Sequence, residues 1–233
     1  AVREFSQYAN GDDHDLLGRF ILPASRLPDF AAASRDIASD QRYSWRLSAI
    51  VSAGKQADID EISAFNRTFR SVEPAVVIDA IEMPVTSVSE IEWAVRSFAD
   101  YFEIFLEPAA VEDPSPLLEL IAKSGAKAKL RTGGIVAGAI PSATSVIRFI
   151  DKCAELALPF KATAGLHHAL RGDYPLTYEA NAPKGTMFGY LNIFLVAAFH
   201  RAGLPEPALL ELLEEHDSSS ITFDESGAWW RGN

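Results

Sequence analysis

The stretch AKAKLRTGG (126–134), SATSVIRFIDKCAELA (142–157) and PFKATAG (159–165) decides the reading of the fold. A short β-type run, a helical pattern and a second β-type run in this order form a parallel βαβ unit. The same alternation extends towards the amino terminus. LLGRFILPA (16–24) precedes helical FAAASRDIA, and YSWRLSAIV (43–51) precedes ADIDEISAFNRTF. AVVIDAIEM (75–83) precedes SVSEIEWAVRSFA, where Ile91, Val95 and Phe98 share one helical face. YFEIFLEPA (101–109) precedes PLLELIAKSG, with Asp113 before Pro114 as a helix-start signal. AVREFSQYA (1–9) opens the chain as a helix.

Beyond PFKATAGLHH the pattern changes. A loop of about 15 residues, LRGDYPLTYEANAPKG (170–185), leads into apolar GTMFGYLNIFLVAAFHRAG and then PEPALLELLEEH. SSITFDE (219–225) reads as a last, closing strand before AWWRG. Six β/α repeats and one closing strand predict an α/β fold of the (β/α) TIM barrel type, lacking or incomplete in its first strand. At 233 residues the whole chain is expected to be a single barrel domain. A doubly wound sheet is the alternative, but no G-x-G-x-x-G loop follows the first strand.

Strand side chains alternate between two faces. Ala128 and Leu130 share one face, and Lys127, Lys129 and Arg131 the other; Lys161, Thr163 and Gly165 lie opposite Phe160, Ala162 and Ala164. Glu103, Phe105 and Glu107 share a face, as do Arg19, Ile21 and Pro23, while Asp79 and Glu82 fall on opposite faces of their strand. In a barrel the polar face is the interior and the strand C-termini form the active-site mouth. Three cations (Lys129, Arg131, Lys161) then meet two acids (Glu103, Glu107), leaving positive charge in a chain of net charge −11. The turns Thr132-Gly133-Gly134 and Thr163-Ala164-Gly165 stand beside them, and glycine lets backbone amides approach an anion.

This constellation predicts a site for a small anionic metabolite carrying a carbonyl group, a carboxylate or a phosphate ester. Burial and neighbouring cations favour the neutral amine of a lysine. Lys161 is therefore the candidate Schiff-base amine of a lyase or aldolase-like enzyme. Glu107 and His167 are its proton carriers. Lys129, Arg131, Thr132, Gly133, Gly134, Thr163, Gly165, His168, Arg19 and Asn192 are its substrate contacts. No organic cofactor is expected. A metal-assisted lyase or hydrolase using a divalent ion at His167, His168 and strand-end carboxylates is the second reading. The third is a non-catalytic ligand-binding or structural barrel whose charges neutralise one another. His14, His200 and His216 carry no expected function. Loop 170–185 suits a lid, a mobile surface loop or a contact in a homo-oligomer. Trp229 and Trp230 suit packing that closes the barrel.

Lys161-Ala162-Thr163-Ala164-Gly165 resembles the K-T-S-T-G strand of deoxyribose-phosphate-type class I aldolases, which implies a Schiff-base role for the lysine. Over most of the chain, LGRFILPASRL (17–27), KLRTGG (129–134), FKATAGLHH (160–168) and FGYLNIFLVAAF (188–199) resemble an uncharacterised bacterial family of TIM-barrel-like proteins. That resemblance implies the fold, a site at these residues and a strand ahead of the first helix. The acidic balance argues against nucleic-acid binding and against an anionic membrane surface. No apolar run is long enough to span a bilayer, and no signal segment is visible. One cysteine, Cys153, fits a cytoplasmic setting.

Overall fold

The computed structural model describes residues 1–12, 14–35, 44–72, 75–109 and 113–232. Parts of two sequence runs, 36–38 of the first predicted helix and 43 of the second predicted strand, lie outside them. Strands β1 (Phe20–Pro23), β2 (Trp45–Ile50), β3 (Val76–Val85), β4 (Glu103–Pro108), β5 (Lys127–Arg131) and β6 (Phe160–Thr163) form one six-stranded parallel sheet. Its order is β1-β2-β3-β4-β5-β6, with helices between successive strands. A doubly wound sheet requires a reversal of strand order, and this sheet has none. The structure therefore carries the singly wound pattern of a partial TIM-like α/β fold.

Two elements depart from expectation. Ile221–Asp224 does not close the sheet but pairs antiparallel with Gly227–Trp230 in a hairpin of its own. The turn Glu225-Ser226 lets the chain fold straight back, and Asp224 Oδ1 accepts the Ser226 and Gly227 amides. Segment 170–185 is no simple loop either, because Gly172–Pro175 pairs antiparallel with Lys184–Met187. We number these strands β7 (172–175), β8 (184–187), β9 (221–224) and β10 (227–230).

By contact density the chain forms two compact units, residues 1–107 with 123–127, and residues 108–122 with 128–233. In the first, α1 (Val2–Ala9), α2 (Leu27–Arg35), α3 (Gln56–Phe69) and α4 (Val88–Phe98) accompany β1 to β3. An aromatic cluster fills this core: Phe5 lies 5.2 Å from Phe20 and 4.9 Å from Trp45, and Phe30 lies 6.0 Å from Trp45 and Phe65. Edge-to-face rings of this kind add to the apolar burial itself. Ser87 begins α4 by accepting the Glu90 amide, while the Glu90 carboxylate takes the Thr86 amide at 2.6 Å.

The register between β2 and β3 slips by one residue. Leu47 is opposite Ile78, but Ser48 is opposite Ala80, so Asp79 is the extra residue of a bulge. Asn66 of α3 holds the break: its side chain donates to the Ile78 carbonyl and accepts the Ile78 amide, both at 2.8 Å.

The second unit contains α6 (Ala143–Glu155), α7 (Tyr190–Arg201) and α8 (Glu206–Leu213), with α5 (Ser115–Ser124) across the division. Ser142 caps α6 by accepting the Ser145 amide at 3.1 Å. The inner face of α6 buries Val146, Phe149, Ile150 and Cys153, and Phe149 packs edge-on against Phe160 of β6. Burial pushes the Cys153 thiol up to about 12, so it is a small core residue without thiolate chemistry. Among the described residues no helix is long and apolar enough to cross a membrane.

Candidate functional site

In the second unit, β5 and β6 bring the predicted lysines together. Lys129 is the register partner of Lys161, and Arg131 of Thr163. Register partners on parallel strands lie about 4.8 Å apart and share a face. Ala128 and Leu130, on the other face, are buried as expected. Lys129 is 4% exposed, Lys161 half-buried and Arg131 exposed, so the row of cations runs from the interior to the surface along β5.

The turns after these strands are tied to each other. Thr132 is 1% exposed. Its amide donates to the Thr163 carbonyl at 2.8 Å. Its hydroxyl donates to the carbonyls of Ala164 (2.6 Å) and Thr163 (3.0 Å). Gly133 lies so close to Gly165 that a Cβ on it would stand 2.9 Å from the Gly165 Cα. Gly165 has φ +73° and Ala164 has φ +66°. The left-handed region is natural for glycine, but an alanine there is strained by about 1 kcal/mol or more. Three bonds from one threonine hold that strain two to three residues beyond Lys161. Gly134 is confined as well, since a Cβ on it would stand 2.7 Å from the Ala139 Cβ.

The histidines go separate ways, as alternation implies. His168 stacks on Tyr174 of β7, with centroids 3.5 Å apart and planes at 15°. Tyr174 in turn donates its hydroxyl to the Leu170 carbonyl. His167 is exposed, with its ring 6.3 Å from the ring of Tyr178. Among the described residues no three His, Cys, Asp or Glu side chains are grouped to hold a metal ion.

Asn192, expected as a substrate contact, is a structural residue. It is fully buried. Its Oδ1 accepts the amides of Gly189 (3.0 Å) and Arg171 (2.8 Å). Its Nδ2 donates to the carbonyls of Leu212 (3.0 Å) and Glu215 (2.9 Å). A side-chain amide has two donor hydrogens and two acceptor positions, and all four are used. Asn192 starts α7, ties it to the end of α8 and has no capacity left for a ligand.

The carboxylates and Arg19 belong to the first unit. Arg19 precedes β1 and bonds Asp79 at 2.5 Å through Nε and Glu103 at 2.7 Å through Nη1. Arg46 bonds the second Asp79 oxygen, and Lys127 the second Glu103 oxygen. The result is an alternating chain, Arg46–Asp79–Arg19–Glu103–Lys127, beginning at the amino-terminal ends of the strands. Burial alone would raise the Glu103 pKa, but the Lys127 hydrogen bond and the Arg19 charge outweigh it and hold the carboxyl below its usual range. Arg19 therefore balances strand carboxylates. Glu107, 7% exposed, lies farther along β4 on the Glu103 side.

The bulge corrects the facing of Asp79 and Glu82. Glu82 is opposite Ile50, which shares a face with Ser48 and Arg46. The Asp79 carboxylate bonds Arg46, so both acids lie on one side. Glu82, fully buried, is a polar inner-face residue that strict alternation hides. No protein-family model matches this chain, and no curated protein matches it.

Proposed function

We propose that the chain is an enzyme on a partial or complete (β/α) barrel that acts on a small anionic carbonyl compound through a Schiff base on Lys161. The observation that carries this reading is the pairing of Lys161 with buried Lys129 immediately before a strained turn clamped by Thr132. Backbone strain persists only where its surroundings enforce it, and it gathers at sites that need a fixed geometry. The similarity of KATAG to the aldolase lysine strand supports the same assignment.

In this reading Lys129 and Arg131 draw the carboxylate or phosphate of the substrate to the end of β5. The turns at Gly133-Gly134 and Gly165 let it approach the backbone. The neutral Lys161 amine adds to the carbonyl carbon. The carbinolamine then loses water to give an iminium, which takes up the electron pair of a bond on the adjacent carbon as that bond breaks. A carbon–hydrogen bond yields its proton to a base, or a carbon–carbon bond releases the far fragment as an aldehyde once its hydroxyl is deprotonated. Protonation of the enamine and hydrolysis of the iminium then free the product and Lys161. His167, exposed beside the turn, carries protons to and from the oxygen that leaves. Cytoplasmic work on a soluble metabolite fits this chemistry.

Incubation with 2-keto acids or aldose and ketose phosphates, followed by borohydride, tests it. Reduction of the iminium leaves a secondary amine, and peptide mass spectrometry should place the adduct on Lys161. An adduct absent with every carbonyl class, or one unchanged by Lys161→Met, refutes the assignment.

A further inference from the structure

The outward face of α7 is apolar where a surface helix is normally charged. Asn192, Ile193, Leu195 and Val196 point into the unit. Facing away at four-residue intervals are Tyr190, Phe194, Ala198 and Ala202, all exposed, with Phe194 66% and Tyr190 41% exposed. The one charge on this face is Arg201. Beside it a groove of about 540 Å³ runs past Cys153, Leu158, Phe160 and Ala197, with His200 and Arg201 also in its lining. In a chain with 32 acidic residues, this exposed helix face carries none.

We propose that this face joins two copies of the chain through antiparallel α7 helices related by a two-fold axis near Val196. The order of side chains carries the choice of partner. Rotation about that axis sets Phe194 over Ala198 of the second copy and Tyr190 over its Ala202. Each large residue meets a small one, twice over, which is the self-complementarity an isologous interface requires. Arg201 of one copy reaches the Tyr190 ring of the other, a cation–π pairing, and the opposed helix dipoles attract.

A helix of 12 residues is about 18 Å long. That is a short contact beside the roughly 800 Å² per partner of a standard interface, and we expect a weak dimer with a dissociation constant in the micromolar range. Each copy carries −11, and added salt should tighten the dimer by screening that repulsion.

Sedimentation velocity on the full chain, from low to high micromolar, tests the proposal. Wild type should pass from monomer to dimer. Phe194→Ala removes both large residues of the central contacts, and Ala198→Phe sets large against large. Each should weaken association by about tenfold or more. The double variant Phe194→Ala/Ala198→Phe restores one large and one small residue at each contact and should recover most of the affinity. All these positions are exposed, so circular dichroism and thermal melting should match wild type. A monomer at every concentration, a dimer indifferent to both single changes, or a double variant as weak as the singles would each overturn the proposal.

Discussion

Glu215 should control the acid stability of the second unit. It follows α8, and its side chain is 4% exposed. Each oxygen accepts two hydrogen bonds. Oε1 takes the amides of His216 and Asp217, both at 3.1 Å. Oε2 takes the Trp230 indole and the Arg231 guanidinium, both at 3.0 Å. Burial alone would raise its pKa. The Asp217 amide, the Trp230 indole, the His216 amide and Arg231 together overcome that and bring it from 4.5 to about 2. A folded pKa below the unfolded one means the unfolded chain binds the proton more readily. The stabilisation is then complete above about pH 4.5 and is lost as pH falls towards about 2. A difference near 2.5 units at 1.36 kcal/mol each is on the order of 3 kcal/mol at neutral pH. Glu215→Gln keeps the shape, removes the charge and turns donors of its own towards donors. Urea unfolding of both proteins, followed by circular dichroism from pH 7 to pH 2.5, isolates the effect. The stability gap should be widest at pH 7 and narrow by on the order of 3 kcal/mol below pH 4.5, leaving only the misdirected amide hydrogens. A gap that stays constant across that range would show that the carboxylate charge contributes nothing.

Lys161→Met should abolish borohydride-trapped adducts while shifting the melting temperature little, because the side chain is only half-buried. Thr132→Val removes the hydroxyl donated to two carbonyls and should cost about 1–3 kcal/mol in thermal or urea unfolding, with slower trapping at Lys161 as the turn relaxes. Gly189→Ala should be far worse, since the new Cβ would stand 2.1 Å from the Ala169 carbonyl oxygen; a loss of about 3 kcal/mol or more, or failure to fold on expression, is expected. Asn66→Ala leaves both backbone groups of Ile78 without their partner and should cost about 2 kcal/mol or more, read from the urea midpoint.

The alternation of β-type and helical runs is legible because the helices between the strands, 9 to 14 residues long, show their period and mark off even four-residue strands such as β1 and β6; six parallel strands in sequence order follow from it. The hairpins were not. β7 is GDYP and β8 is KGTM, four residues each, with glycine, proline and lysine obscuring any β signal. Their pairing depends on tertiary contacts such as His168 on Tyr174 and Leu176 against Gly185. Thr132 entered the candidate set through its glycine neighbours, although its hydroxyl is what holds the strained turn. Asn192 was legible as an anomaly, a polar side chain in an apolar helix. Three of its four bonds reach residues 20 to 23 positions away, so no local pattern separates this use from a ligand contact.

Asp79 and Glu82 show where period-2 reasoning stops. Alternation places residues three apart on opposite faces, and one extra residue between them reverses the answer for everything beyond it. The extra residue here is Asp79, opposite no residue of β2. Nothing in VVIDAIEM marks it, because the bulge is set by Asn66 from α3 and by Arg46 and Arg19 converging on the Asp79 carboxylate. Between β5 and β6 the register runs unbroken from Ala128–Phe160 to Arg131–Thr163. Facing read from sequence therefore holds for Lys129 and Arg131 of β5 and for Lys161 and Thr163 of β6. The acids of β3 and β4 need the structure first, and the ion pairs of Asp79 and Glu103 with Arg19, Arg46 and Lys127 make those two a charge-balancing framework.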